Sequence, residues 1–449
     1  MPKVTVYIPT HNHEHYVEQA IESVLRQKFN DWELIVIDDG SNDNTRRILA
    51  NYEHNPKIHI IFQENKGLTV TNNIALRASA GDYVMRLDGD DFLDENILLV
   101  LSNVLDTHPE IGLVYPDWYE VNEHGEMMNV IRRNNAGETS LFDIPAHGAC
   151  TMIRKSCLLD LGGYNEDIKC QDGYDLWIRF IEKYKVYNVN CPLFYYRKHS
   201  ANLTNDHKKI IDTRGRIKRE YVRQKYEQMP LKVLGIIPVR GYSDSYLDSS
   251  LRELAGKKLI DYTIETALGT KLLDRVVLTT NDPQVLSYTD RYEALTKIQR
   301  PDELCKINSN IFGTLNFVLD ELQREGYNPD AVAVLYINSP LRKSGHIEKA
   351  IDSMIIFDSD SVISVRESLS NYYQHHQTGM VPLFKERKLR LERDSLYAEN
   401  GAVYLIKTEC VRAQNYGEKV GHIIMLKEES IRIHDDFDFW MVEKIIERS

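Results

Sequence analysis

The first half of the chain alternates short apolar runs with stretches whose apolar residues recur at helical spacing. Residues 4–8, 34–37, 58–62 and 83–87 are runs of strand length, rich in Val and Ile. Between the first two, residues 17–25 place Val17, Ala20, Ile21, Val24 and Leu25 on one helical face. Further helices are predicted from near Thr45, capped by Asn42 or Asp43, and over 71–79. His59 is the one polar break in the third run, which predicts a strand edge or a solvent-facing position. Such alternation predicts a mostly parallel sheet covered on both faces. After Pro230 the pattern restarts, with strands expected at 233–238, 275–280, 331–337, 361–365 and 403–406. Between the halves, residues 206–229 carry eight Lys or Arg against four acids in a helix-like pattern. A solvated linking helix fits this, with a patch touching anionic lipid or carrier as the alternative. The expected division is therefore 1–205, a basic linking helix over 206–230, and 231–449.

Polar residues fall where the strands end, and open α/β sheets bind ligands at such carboxyl ends. Pro9-Thr10-His11-Asn12 follows the first strand, Asp38-Asp39-Gly40-Ser41 the second, and Asp88-Gly89-Asp90-Asp91 the fourth. In the last, three carboxylates within four residues repel one another unless a cation sits between them. Mg²⁺ and Mn²⁺ prefer oxygen ligands and are often shared with substrate phosphates, so the cluster suggests a metal-held phosphorylated donor. An acidic surface turn is the plainer alternative. The Asp39 carboxylate suits the N3–H of a uracil or thymine ring, with backbone amides near Thr10 receiving ribose or base. Capping of the next helix is the other role open to Asp38 or Asp39.

Composition narrows the field. At 449 residues the chain is long enough for two or three domains, and a net charge of -12 argues against general nucleic-acid binding. The six cysteines, at 150, 157, 170, 191, 305 and 410, show no C-x-x-C pair or zinc spacing, which reads as reduced thiols in a cytoplasmic setting. The chain opens on a strand-like segment, so no signal peptide is expected. No apolar run approaches the ~18–20 residues that span a bilayer, so any membrane contact would be peripheral.

The ordered stretches Ile8-Pro9-Thr10-His11-Asn12, Val36-Ile37-Asp38-Asp39-Gly40-Ser41, Asn65-Lys66-Gly67 and Leu87-Asp88-Gly89-Asp90-Asp91 carry a resemblance. With them go Ser23-Val24-Leu25-Arg26-Gln27, Gly162-Gly163-Tyr164, Gln171-Asp172-Gly173-Tyr174-Asp175-Leu176-Trp177 and Tyr196-Arg197-Lys198-His199. Residues 1–230 resemble inverting family-2 glycosyltransferases of the GT-A fold. The resemblance implies base recognition by Asp39, and nucleotide-sugar contacts from Pro9, Thr10, Asn12, Lys66, Gly67, Asp88 and Gly89. It also implies a Mn²⁺ or Mg²⁺ site at Asp88 and Asp90, with Asp91 beside it. Asp172 matches the catalytic base, with Asp175 in reserve. Arg197 and His199 would belong to a loop closing over the donor phosphates. Asn72 stands where relatives often carry an arginine, and Gln171 replaces a common glutamate.

Residues 231–449 resemble cytidylyltransferases that make CMP-activated sialic-acid-like sugars. The matching stretches are Ile237-Pro238-Val239-Arg240-Gly241, Leu254-Ala255-Gly256-Lys257-Lys258-Leu259-Ile260, Arg300-Pro301-Asp302-Glu303-Leu304, Ser339-Pro340-Leu341-Arg342, Asn400-Gly401-Ala402-Val403-Tyr404 and Asp438-Phe439. Two lysines of that family's nucleotide loop are here Asp244 and Ser249, and its metal-binding Asp-Ile-Asp reads Arg432-Ile433-His434. The expectation is a retained fold without nucleotidyl transfer, serving as a dimerisation scaffold, an acceptor-binding module or an altered transferase. His434 with Asp435, Asp436 or Asp438 is the one metal alternative there.

The expected whole is α/β, two tandem Rossmann-like αβα domains. Its expected activity is transfer of a sugar, with inversion, from a nucleotide-sugar donor, a nucleoside diphosphate being favoured. The acceptor would be a glycan or lipid-linked hydroxyl in surface-polysaccharide or glycan assembly. The alternatives are a bifunctional enzyme that makes and uses a CMP-activated sugar, and a non-catalytic carbohydrate-binding scaffold.

Overall fold

The computed structural model describes residues 2–133, 145–200, 202, 206–226, 231–240, 250–306, 309–368, 370, 372–376, 379–382 and 396–448. The chain divides into two compact units, Met1–Arg214, and Gly215–Leu383 with Asp394–Ser449.

The first unit contains strands β1 (Val4–Thr10), β2 (Trp32–Asp39), β3 (Ile58–Gln63), β4 (Tyr83–Arg86), β5 (Phe92–Leu93), β6 (Ile111–Val121), β7 (Met127–Ile131), β8 (Met152–Arg154) and β9 (Lys185–Arg197). Helices α1 (Val17–Leu25), α2 (Thr45–Ala50), α3 (Leu68–Ala78), α4 (Ile97–Thr107), α5 (Lys155–Asp160) and α6 (Asp172–Ile181) connect and cover them. The strand order is β3-β2-β1-β4-β8-β6-β9-β5, with β7 on β6. β1 and β2 are buried at every position, as their continuous apolar sequence requires of strands covered on both faces. On one face, Val17, Ala20, Ile21 and Val24 of α1 join Val4, Val6 and Ile8 in a shared core. Truncating one of these, such as Ile21 to Ala, would cost ~2–5 kcal/mol.

The sheet is parallel through β3, β2, β1 and β4 and again between β6 and β9, but β8 runs antiparallel to both β4 and β6, β7 to β6 and β5 to β9. This corrects the mostly parallel expectation. Helical crossovers force parallel pairing among the first four strands, whereas β6 and β7 are joined by a short turn over 122–126, which permits antiparallel pairing. His59 lies on β3, the outermost strand of its side, with its ring exposed.

Helix α7 (His207–Tyr226) forms where the basic stretch predicted one, but the units divide inside it, between Arg214 and Gly215. Nor is it simply solvated. In the first unit, Arg214 donates to Gln171 Oε1 at 2.8 Å and lies over the Tyr174 ring. In the second, Lys218 is buried and donates to Ser353 Oγ, while Arg219 pairs with Glu348 and Asp352. The basic residues at 214, 218 and 219 are thus spent on internal contacts, because facing helices supply buried polar partners.

The second unit contains β10 (Val233–Pro238), β11 (Glu253–Leu254), β12 (Lys257–Lys258), β13 (Arg275–Thr280), β14 (Thr296–Gln299), β15 (Ala331–Val334), β16 (Ser361–Ser368), β17 (Tyr373–His376), β18 (Gly379–Pro382), β19 (Leu396–Lys407) and β20 (Val420–Ile424). Its main sheet runs β14-β13-β10-β15-β19-β16-β20, with β19 antiparallel to both neighbours. Helices α8 (Leu259–Leu268), α9 (Pro283–Tyr288), α10 (Ile311–Arg324), α11 (Ser344–Phe357), α12 (Thr408–Arg412) and α13 (Asp436–Glu447) accompany it. Both units are α/β, each with its own cores.

Candidate active site

The register of the parallel strands builds the site in the first unit. Thr10 lies opposite Asp38 and Tyr7 opposite Arg86, so the loops after β1, β2 and β4 leave from one edge. The first two loops clasp each other. Asn12, in the left-handed region at φ 58°, donates its amide to Ser41 Oγ at 2.9 Å and accepts the Asn42 amide on Oδ1 at 2.8 Å. Pro9 is buried within β1, opposite Ile37. Thr10 Oγ1 is 3.3 Å from His13 Nδ1, and Gly89 closes against both. A Cβ at position 89 would stand 2.6 Å from His13 Nδ1 and 2.9 Å from Thr10 Oγ1, so the loop admits only glycine without a shift.

Asp39 holds the segment before α3. Its Oδ1 accepts from Gln63 Nε2 and the Lys66 amide, both at 2.7 Å, and its Oδ2 accepts from the Gly67 amide at 2.8 Å. Lys66 and Gly67 therefore meet Asp39 through their backbone N–H groups. A carboxylate offers about four acceptor positions, so one remains on Oδ2 for an N–H of a ligand. Asp38 is engaged by Arg46 and the Ser41 amide, and Asp43 accepts the Thr45 amide at the start of α2.

The acidic cluster separates into three environments. Asp88 is paired with Arg86, whose Nε is 2.8 Å from Oδ1 and whose Nη2 is 3.2 Å from Oδ2. Arg86 also reaches Asp172 Oδ2 through Nη1 at 2.6 Å. Burial pushes the Asp88 carboxyl up, with the charges of Asp90 and Asp172 adding to it and Arg86 opposing. Asp90 Oδ2 lies 2.9 Å from His199 Nε2, and the His199 ring stacks on Tyr16. Burial raises the Asp90 carboxyl, but His199 and His13 outweigh it and hold the group below its ordinary value.

Asp91 faces inward. It is 1% exposed, Oδ1 accepts the Arg197 amide at 2.9 Å, and burial with the charges of Asp90 and Asp88 pushes its carboxyl well up. Arg197 is likewise internal. At 2% exposure it donates to Asp90 O, Glu123 O and Gln19 Oε1, and stacks over Tyr16. It is the last residue of β9, and its side chain turns inward onto these carbonyls, whereas the expectation put it in a loop closing over the donor phosphates. Its nitrogens are consumed by carbonyls that fix the Asp90 backbone. Of that pair, only His199 presents its side chain to the acidic cluster.

Asp172 opens α6, after Gln171 turns the chain at φ 64°. Its Oδ2 accepts from Arg86 and from Asn72 Nδ2 at 3.1 Å; among the described residues nothing donates to Oδ1. Asn72 thus helps hold the acid. Asp175 is clamped by Arg179 at 2.7 and 3.0 Å, and Arg179 also binds the Leu161 and Gly163 carbonyls, which gives Asp175 a structural role. Sequence reasoning missed Arg86. Its signal was a single cation inside an otherwise apolar strand, two residues before Asp88.

In the second unit the strand ends differ. Arg342 is buried against the Tyr336 and Ala402 carbonyls, Arg300 against the Val239 carbonyl, and Arg432 lies over the Tyr336 ring. The acids after His434 serve α13: Asp435 accepts the Asp438 amide, Asp438 accepts the His434 amide, and Asp436 pairs with Arg252. His434 Nδ1 lies 3.4 Å from Asp438 Oδ2, but among the described residues His434 and these acids do not bring three ligand atoms together. Asp244 and Ser249 lie outside the described residues. Asp360, Glu409 and Cys410 converge closely enough for a metal, but Asp360 Oδ2 already accepts the Glu418 and Lys419 amides.

Residues 5–161 match glycosyl transferase family 2. The chain belongs to that family: it is 31% identical over 210 residues to the putative glycosyltransferase EpsE of Bacillus subtilis, covering 44% of this chain and 74% of that one. It is similar to chondroitin synthase of Escherichia coli, 33% identical over 189 residues, which are 40% of this chain and 27% of the relative. A putative teichuronic acid biosynthesis glycosyltransferase of Bacillus subtilis, TuaG, is 44% identical over 92 residues, 20% of this chain and 36% of its own. The chain spans between about a quarter and two thirds of the length of the first several curated relatives. Among solved structures, S. aureus TarS 1-349 in complex with UDP-GlcNAc aligns with a TM-score of 0.40 at 18% identity, covering 49% of this chain and 66% of that one. No described helix is long and apolar enough to cross a membrane.

Proposed function

We propose that the first unit transfers a sugar from a nucleoside-diphosphate-sugar donor to a hydroxyl of a glycan or lipid-linked acceptor, with inversion, in polysaccharide assembly. One observation carries this reading: Asp88, Arg86 and Asp172 form a continuous chain of contacts, with the Asp90–His199 pair next to it. Relatives named chondroitin synthase, hyaluronan synthase and teichuronic acid glycosyltransferase support the polysaccharide setting.

Asp90 and His199 would hold a divalent cation, since a carboxylate oxygen and an imidazole nitrogen already face each other at 2.9 Å, and Asp88 would join them on leaving Arg86. A mixed oxygen and nitrogen set favours Mn²⁺ over Mg²⁺. Such an ion supplies neutralisation of the charge that develops on the leaving diphosphate. Asp91 and Arg197 hold the loop in place from behind. Asp39 receives an N–H of the base on its remaining acceptor position, while the fixed loops around Thr10 and Gly89 seat the nucleoside.

Asp172 takes the proton of the acceptor hydroxyl through Oδ1 as that oxygen bonds to the anomeric carbon. The bond from that carbon to the phosphate oxygen breaks on the opposite side, which inverts the configuration. General-base assistance of this kind is worth ~10²–10⁴-fold, and positioning supplies much of the rest. The second unit is proposed to keep a cytidylyltransferase-like fold without nucleotidyl transfer. Supporting this, Arg432 lies over the Tyr336 ring where the resemblance would put a metal-binding aspartate, and the acids after His434 cap α13.

The test uses the intact chain with Mn²⁺ and a panel of UDP, dTDP, GDP, CDP and CMP, read as thermal stabilisation. A nucleoside diphosphate that stabilises only with metal, and whose sugar conjugate is turned over, is the expected result. Stabilisation by CMP alone, or binding without any turnover, would sink the reading.

A further inference from the structure

Arg86 touches both ends of the proposed reaction. Its side chain is 7% exposed, and its nitrogens meet Asp88 at 2.8 and 3.2 Å and Asp172 at 2.6 Å. The backbone is fixed on both sides, since Arg86 pairs with Tyr7 across the sheet and its carbonyl accepts the Cys150 amide at 2.6 Å. The guanidinium is not packed solid. A cavity of about 20 Å³ lies against it, lined also by Tyr7, Tyr164, His147 and Thr151, large enough for about one water.

We propose that Arg86 is a positioning residue that couples capture of the donor by Asp88 to the orientation of Asp172; this rests on the function proposed above. Two buried carboxylates share one guanidinium. While Asp88 is paired with it, Arg86 competes with any cation for that carboxylate. When Asp88 turns to the donor, the fork is left to Asp172, holding Oδ2 together with Asn72 and keeping Oδ1 for the acceptor hydroxyl. A lysine cannot serve both carboxylates in this way, because a single ammonium is a point charge without the planar fork. Arg86 touches neither sugar nor acceptor in this scheme and acts through the two acids.

The coupling predicts effects of opposite sign on binding and turnover. In Arg86→Gln and Arg86→Lys, measured in the intact chain, kcat should fall ~10²-fold, the size expected for a misplaced acid. The donor KM should change by no more than about threefold, a split that separates positioning from donor binding. Mn²⁺ affinity, titrated without any nucleotide, should hold or rise in Arg86→Gln because the competing cation is gone. Arg86→Lys keeps a buried positive charge and provides the same turnover reading if Arg86→Gln does not fold. The proposal is overturned if kcat stays within about threefold of the parent, or if Mn²⁺ affinity and kcat fall together, as loss of structure would give. A parent chain that binds Mn²⁺ but transfers no sugar would overturn the proposed function instead. The Mn²⁺ titration still reads the Arg86–Asp88 competition in that case.

Discussion

The two units open alike and diverge at the strand ends. β1 finishes in Ile8-Pro9-Thr10 and β10 in Ile237-Pro238, each flanked by parallel neighbours in an α/β sheet. Beyond that point the first unit gathers Asp39, Asp88, Asp90 and Asp172, each held by amides, a guanidinium or an imidazole. The second gathers Arg300, Arg342 and Arg432, which rest on carbonyls and an aromatic ring and have no carboxylate partner among the described residues. A similar scaffold therefore carries different charged side chains at its strand ends, and chemistry follows those side chains rather than the sheet.

The largest effects should come from removing one carboxylate at a time. Asp172→Asn and Asp90→Asn should each lower transfer by ~10²–10⁴-fold or more with the fold retained. Asp90→Asn should also lose the stabilisation by Mn²⁺ with nucleotide, whereas Asp172→Asn should keep it. In the second unit, Arg432→Gln should leave transfer unchanged. CTP-dependent pyrophosphate release by the intact chain should stay at background. Release above background would erase the contrast between the units and revive the bifunctional reading.

A smaller effect should separate a recognition role for Asp39 from its structural one. The carboxylate accepts three hydrogen bonds from Gln63, Lys66 and Gly67. Asp39→Asn turns one acceptor into a donor facing N–H groups, which should cost ~1–3 kcal/mol in denaturant unfolding. Nucleotide affinity should drop beyond what that stability loss explains, because the lone pair left for the base is also disturbed. An affinity unchanged in the folded variant would confine Asp39 to holding the 64–67 segment.

Much of the first unit was legible because its signals are local. An apolar run ending in Asp38-Asp39 or Asp88-Gly89-Asp90-Asp91 declares both a buried strand and a polar edge within ten residues. What failed to show depends on distant partners. Arg197 sits in a polar-looking stretch, yet its meaning comes from carbonyls of Asp90 and Glu123 that only β9 pairing brings to it. Arg86 reads as a flaw in a strand until Tyr7 and Asp172 are set beside it. Likewise β8, of three residues, carries too little pattern to reveal that it turns the sheet antiparallel. In the second unit, β14 has alternating burial and went unread among charged neighbours.

The smallest effect tests whether the units differ in their response to pH. His147, in the first unit, packs against Trp118, Phe194 and Tyr196, and the loss of solvation there with the charge of Arg86 lowers its pKa to about 4. Folding thus favours the neutral ring, whose Nδ1 accepts the Ala149 amide. Between the unfolded value of ~6.5 and about 4, the unfolded chain binds the extra proton, so this stability is lost as pH falls. Asp352, in the second unit, is raised to about 7 by burial despite Arg219 and Lys218. Between ~3.9 and 7 the folded chain binds the extra proton, so its contribution is lost as pH rises. Each slope is bounded by ~1.4 kcal/mol per pH unit, and Arg219 should keep the second well below that. In unfolding curves of the intact chain, His147→Phe should therefore flatten the acid-side fall in stability, and Asp352→Asn the fall toward neutrality. Two variants that flatten the same limb would mean that buried charge is handled alike in both units, and the contrast would then be confined to the strand ends.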